Sequence, residues 1–512
     1  MIWKIAKKEF LLSVMTFKFA VGTTLCMVLI VVFVPILADD YQQRLQKYNQ
    51  QVMDNEAKLR QVKAYRVLTP MIYRRPQVLS VFSNGLEKRL EDSTVIDFGV
   101  IPEINPGPAE INPYLSIFSA FDVLLIFKIV MSALALLIAY DVISGEKEQG
   151  TLGLTLSNHV SRAHILLGKL LAGALTLAVT TTAAFIVGLL LLLGFPSIDL
   201  QASDWARIGG MYVASFVFVL AVYNVGLLFS CLTRSSALAL VLGLFFWVLA
   251  IVVVPNGSIY LARRLQPIQT AEAKDYQLRL VVGQFKDERL KEFYKLPRGG
   301  GFESDSEGPF EASGPAGGTF NYYASVCVPA SVEFWKKRVQ MEASLKTKYA
   351  QKMWDVEHDY VRSLAKQANL AESIGRISPT CLYDNIMSSL AGTDLADFQA
   401  WTTAARNYRD ILIAYIRGRT DDLRSESYFT QSTEADRVAY EKAPDSERRR
   451  EVVNRVIQRE KPLNLEDFPR FACSTTVGQS IRRAGMDLVF LLMFNVLFYA
   501  LSFAAFQRYD VR

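Results

Sequence analysis

Six apolar runs interrupt this chain, and each is about as long as a helix must be to cross a bilayer. They cover residues 17–37, 115–140, 165–195, 208–232, 237–254 and 486–506. A hydrocarbon core about 30 Å thick needs roughly 20 helical residues. In lipid the backbone must satisfy its own hydrogen bonds, and a helix does so within one segment. The runs predict an α-helical polytopic membrane protein with six transmembrane helices. Lys4, Lys7 and Lys8 precede the first run as they would in a signal peptide. Its apolar core is too long for one, and no A-x-A site follows, so it reads as an uncleaved anchor.

Lys and Arg in short loops set orientation. The N-terminus carries Lys4, Lys7 and Lys8. The 141–164 connector carries Lys147 and Arg162, the turn at 233–236 carries Arg234, and the 507–512 tail carries Arg508 and Arg512. All fall on one side if the six helices alternate. The opposite loop, 196–205, has Asp199 and Asp204 and no basic residue. Arg207, Arg482 and Arg483 fall on the other side, the last two after a long segment that the rule does not weigh. Both termini are therefore expected in the cytoplasm. Residues 1–16 read as an interfacial helix: Ile2, Ala6 and Phe10 recur at i, i+4 and i+8 with Trp3 beside them, and the lysines lie opposite. Leu11 breaks that pattern by falling among the lysines.

Two long segments, 38–114 and 255–485, are then expected outside. The first opens with a charged helical stretch, YQQRLQKYNQQVMDNEAKLRQV. The second has helical patterns at 271–294, 332–371, 394–417 and 434–459, with a glycine-rich breaker after the first and short strands near 322–328. Aromatic residues such as Trp335, Trp354 and Trp401 predict a large, packed, mostly helical extracytoplasmic domain. Of the five cysteines, Cys26 and Cys231 sit in or beside spans as packing residues. Cys327, Cys381 and Cys473 lie outside, where one disulfide plus a free thiol, or none, can form.

The formal charge of +6 shows no compact basic stripe, so no nucleic-acid partner is expected. There is no G-x-x-x-x-G-K-[ST] phosphate loop and no H-E-x-x-H. Three histidines, His159, His164 and His358, are too scattered for a metal or catalytic site. The chain is expected to catalyse nothing and to bind no cofactor itself. Asp122 and Lys128 fall inside the second run, and ionisable residues at membrane depth are functional candidates. The ordinary alternative puts Asp122 at the headgroups and lets Lys128 snorkel or face another helix. Thr180, Thr181 and Thr182 are read as interhelical hydrogen-bonding residues.

The connector between the second and third runs is the most patterned stretch. With its flanks it reads AYDVISGEKEQGTLGLTLSNHVSRAHILLGK from Ala139 to Lys169. It is longer than a turn requires. Gly145 and Gly150 let the chain turn, Glu146 and Glu148 offer charge to a partner, and Leu152, Leu154 and Leu156 offer an apolar face. At i and i+2 the two glutamates diverge on a helix, so at least one can face the chain's own basic residues.

This order of elements resembles the permease subunits of ABC-2 type transporters, in the branch with sodium-efflux, gliding-motility and nitrous-oxide-reductase-maturation permeases. The likeness is specific at Gly145, Glu146, Lys147, Glu148, Gly150 and Thr151, then at Ser161, Arg162, Ile165, Leu166, Leu167, Gly168 and Lys169. It implies that Gly145, Glu146, Lys147, Glu148, Gly150, Thr151 and Arg162 couple the permease to cytoplasmic ATP-binding subunits. Those partners would hold ATP and magnesium. It also implies a second permease copy or a related permease, a place in the bacterial cytoplasmic (inner) membrane, and export or hand-over of an envelope substrate. The rival expectations are a membrane-anchored sensor or scaffold whose outer domain binds a partner without transport, and a membrane enzyme with its site outside.

Overall fold

The computed structural model describes residues 2–62, 68–97, 99–103, 122–153, 161–296, 329–419, 433–458, 462–473 and 477–508. Six helices are long and apolar enough to span a membrane: Phe17–Arg60, Val123–Glu148, Arg162–Leu193, Ala202–Leu232, Ser236–Leu265 and Gly478–Gln507. They are called the first to sixth spans here. The six apolar runs of the sequence thus each become a helix.

Several boundaries differ from expectation: the fourth helix starts at Ala202, the fifth runs on to Leu265 and the sixth starts at Gly478, and the first two differ most informatively. The first helix does not stop at Leu37 but runs unbroken to Arg60, through Pro35. The charged stretch after the apolar run continues the same helix, braced by i,i+4 contacts such as Arg44–Asp40 at 3.1 Å and Gln43–Asp39 at 2.8 Å. Its 44 residues make a rod on the order of 66 Å, about twice a bilayer core. The second helix starts at Asp122, whose side chain caps it by accepting the Leu125 N–H at 3.1 Å. Residues 115–121 lie outside the described residues.

The fourth span is the centre of the bundle, with Phe218, Tyr223 and Leu227 fully buried. Small residues let its neighbours approach. Gly226 faces Ala139 and Leu136 of the second span, and Gly173 of the third lies against the Tyr223 ring. Tyr223 donates its hydroxyl to the Lys169 carbonyl at 3.0 Å. Asn224 and Asn495 join the fourth and sixth spans at 3.0 Å. Two of the three threonines make interhelical contacts, Thr180 with Thr23 at 3.3 Å and Thr182 with Tyr212 at 2.8 Å. Two spans carry a π turn: Phe127–Met131 in the second and Leu249–Val253 in the fifth.

The N-terminal helix, Ile2–Val14, packs on the third span, where Ala6 is buried and Ile5 fills the space beside Gly168. The expected apolar face is therefore divided. Ile2, Ala6 and Phe10 turn toward protein, while Trp3, Leu11 and Leu12 are exposed among Lys4, Lys7 and Lys8. Leu11, which broke the sequence pattern, belongs to that outer face.

At the end of the bundle away from the connector, the long segments form one body. Ala271–Phe293 and Pro329–Gly375 make an antiparallel pair, held by Glu288–Lys348 at 2.7 Å and by Phe285 against Tyr349. Leu395–Arg419 follows, then Glu434–Glu441 and Ser446–Gln458, which divide the expected last helix beside Pro444. Strands Met71–Tyr73 and Ser93–Val95 pair antiparallel, with Met71 opposite Val95. The strands expected near 322–328 fall outside the described residues. Leu68, Ile72 and Ile96 pack with Trp401, Tyr408 and Leu412, so the two long segments share a core. Cys381 and Cys473 are free thiols, Cys26 and Cys231 are buried, and Cys327 lies outside the described residues.

One helix of this body was not foreseen. Pro379–Ala391 buries twelve of its 13 residues and packs against the fourth and sixth spans. Ser378 caps its start, Pro379 occupies the first turn, and Gly392 ends it at φ +72°. Leu382, Tyr383, Ile386, Met387 and Leu390 belong to the same apolar core as the spans. We call it the wedge helix.

Candidate functional site: the connector and the buried ion pair

The connector forms a one-turn helix, Ser144–Glu148, that ends at Gly150 with φ +71°. Only Gly150 uses a glycine's conformational freedom, since Gly145 is helical. Ser230 of the fourth span anchors the turn, its hydroxyl accepting the N–H of both Ile143 and Ser144 at 2.9 Å.

Each charged residue then goes to the end of a different span. Lys147 Nζ donates to the carbonyls of Ser230 (3.3 Å), Cys231 and Thr233 (2.9 Å), at the C-terminus of the fourth span. Arg162 donates to the carbonyls of Phe506 (3.4 Å) and Gln507, at the C-terminus of the sixth. Both place a cation on the negative end of a helix dipole. Glu148 accepts from the backbone N–H (3.2 Å) and the hydroxyl (2.7 Å) of Ser236, at the positive end of the fifth span. Glu146 turns to the third span, where Lys169 Nζ lies 2.8 Å from its Oε1. Lys169 also donates to Val142 O at 3.0 Å and approaches Glu9 of the N-terminal helix at 3.5 Å. Asp141 pairs with Lys18 at the start of the first span.

The two glutamates diverge as i and i+2 require, and both are engaged within the chain. Leu152 is likewise turned into the core of the spans, and Leu154 and Leu156 lie outside the described residues. Among the described residues of the turn, 141–153, the exposed ones are Glu148, Gln149, Gly150 and Thr151. The result is a collar that binds the ends of the first, third, fourth, fifth and sixth spans to the second. Sequence reasoning missed Lys169, Ser230 and Ser236 as its anchors. A lysine one turn inside an apolar run was the available signal for the first; the serines gave none.

The second candidate pair resolves differently for each member. Asp122 is the cap of the second span and also accepts the Asn84 N–H at 3.0 Å. Lys128 sits in the π turn and does not snorkel. Its ammonium is 2.7 Å from Asp384 Oδ2 of the wedge helix, with side chains 5% and 0% exposed. Asp384 Oδ1 takes no hydrogen bond from any described residue. This partner is 256 positions away, in a segment whose composition did not mark it as packed among the spans. Among the described residues no cluster of three or more His, Cys, Asp or Glu is placed to hold a metal. His164 bonds Ser161 at 2.7 Å and His358 bonds Glu103 at 2.8 Å, while His159 is outside the described residues.

Comparison with known proteins fits this arrangement. Residues 3–511 match the model of a family described as ABC-2 family transporter protein. A stretch of 149 residues is 35% identical to the probable ABC transporter permease protein NosY of Pseudomonas aeruginosa. It covers 27% of this chain and 53% of that protein, so the chain spans about half the length of the relative it matches. The chain belongs to the ABC-2 family of transporter proteins.

Proposed function

We propose that the chain is the permease subunit of an ATP-binding-cassette transporter, driven by separate ATP-binding subunits that dock on the connector. The observation that carries this reading is the collar. A partner pressing on the exposed turn at 148–151 acts, through Asp141, Glu146, Lys147, Glu148 and Arg162, on the ends of five other spans at once. A loop that only linked two helices would have no use for those bonds. In this reading the connector and both termini face the cytoplasm, ATP and magnesium are held by the partner, and the 38–114 and 255–485 segments lie outside. Two permease chains, identical or related, enclose the path for an envelope substrate. The outer body receives cargo, releases it or works on a partner there.

The test is purification of the tagged chain from native membrane in mild detergent. Co-purification of an ATP-binding subunit in stoichiometric amount, with ATP hydrolysis that vanishes when that subunit is removed, supports the proposal. A chain that purifies without such a subunit, together with a captured outer partner, supports the sensor or scaffold reading.

A further inference from the structure

The wedge helix is tied to both π turns of the bundle. Asp384 takes the Lys128 ammonium from the turn in the second span. Ser378 donates its hydroxyl at 2.7 Å to the Ala250 carbonyl in the turn of the fifth. The residues flanking the two turns are also bonded to each other. Trp247, just before the second turn, donates its indole N–H at 2.8 Å to Ser132 Oγ, and Ser132 donates to the Lys128 carbonyl. A π turn inserts one residue into a helix and loosens the regular carbonyl pairing. Here the loosened places are where the wedge is attached.

An ion pair as buried as Lys128–Asp384 is poorly explained by stability. Removing two charges from water costs about as much as their attraction returns, and packed apolar residues do as well or better. What a buried pair supplies is a fixed register between two elements. Asp384 Oδ1 receives no hydrogen bond from a described residue, so the wedge is held to Lys128 through one carboxylate oxygen alone. The π turns supply the movement, because gaining or losing the inserted residue shifts the helix by about 1.5 Å and turns it by about 100°. At the other end of the second span, about 20 Å from Lys128, lies the collar.

We propose that Lys128 and Asp384 are positioning residues that carry displacement of the connector to the wedge helix and the outer body. A collar that moves as a unit below, a packed body above and two compliant turns between them leave the wedge as the part that must respond. The inference rests on the transporter reading given above.

The test uses the chain with its co-purified ATP-binding subunits in lipid nanodiscs. Hydrogen exchange is followed by mass spectrometry with ADP and with a non-hydrolysable ATP analogue. The wild type should show a nucleotide-dependent change both at 141–153 and at 379–395. The apolar pair Lys128→Met with Asp384→Leu should keep the first change and lose the second. The exchanged pair Lys128→Asp with Asp384→Lys should restore the second. A response at 379–395 that survives in the apolar pair overturns the inference. So does an exchanged pair that assembles with its ATP-binding subunits and stays silent there. If the wild type shows no nucleotide response at 141–153, the transporter reading itself fails and this proposal with it.

Discussion

Lys169 Nζ lies 2.8 Å from Glu146 Oε1, and the two side chains are 3% and 24% exposed. This contact fastens the connector to the third span, and Glu9, 3.5 Å from the same ammonium, brings in the N-terminal helix. Glu146 Oε2 is buried without a hydrogen bond from any described residue, so among the described residues the carboxylate is held by this lysine. Lys169→Met should destabilise the fold by about 1–3 kcal/mol, since a partly buried charge loses its mate. Glu146→Gln, which keeps an acceptor, should cost about half as much. Thermal unfolding in nanodiscs reads both, and two variants that melt like the wild type would remove the contact from the account.

The buried pair at Lys128 and Asp384 should behave non-additively. Lys128→Met alone leaves an uncompensated carboxylate and should cost about 3–5 kcal/mol, while the double change with Asp384→Leu should be close to neutral. A double-mutant cycle on unfolding midpoints measures this coupling. Additive effects would mean that the two groups do not act as a pair.

Glycines in the bundle separate close packing from backbone freedom. A Cβ at Gly173 would meet Tyr223 Cζ at 2.1 Å, so Gly173→Ala should cost about 1–3 kcal/mol through overpacking. Gly209 has nothing within 4 Å of such a Cβ, and Gly209→Ala in the same bundle should be neutral or stabilising by about 0.5–1 kcal/mol. Gly150 has open space but φ +71°, so Gly150→Ala should cost about 1 kcal/mol from the backbone alone. The melting temperatures should rise from Gly173→Ala through Gly150→Ala to Gly209→Ala.

At the start of the helix Leu395–Arg419, burial and the neighbouring Asp397 push the Asp394 carboxyl up to about 6, while Arg483 pulls against them. Its folded state therefore binds a proton more tightly than the unfolded chain does. The stability it contributes is present below the ordinary value of 3.8 and is lost as pH rises toward about 6. The wild type should lose stability across that window relative to Asp394→Asn, whose profile should be flatter. Parallel profiles would show that this carboxyl is not the titrating group.

Much of this architecture is legible in the sequence. Length and apolarity give the six spans. The less legible parts have physical reasons. Hydropathy marks where lipid ends, not where a helix ends, so the first helix outruns its apolar run by 23 residues to Arg60. The wedge helix is too short to span and carries Asp384, so nothing in its composition sets it apart from a soluble helix. The charges of the connector read as an outward surface because Lys147, Glu148 and Arg162 bond helix ends and Ser236, backbone groups and a small polar residue that leave no pattern, while the partner of Glu146, Lys169, lies in another span.

The most direct test of the account is photo-crosslinking from the exposed end of the connector in intact membranes. A photoreactive residue at Thr151 or Gln149 should form an adduct with the ATP-binding subunit. The same residue at Thr403, exposed on the body at the far end of the bundle from the connector, should form none. Crosslinks to that subunit from Thr403, or none from either connector position when the subunit is present in equal abundance, would contradict it.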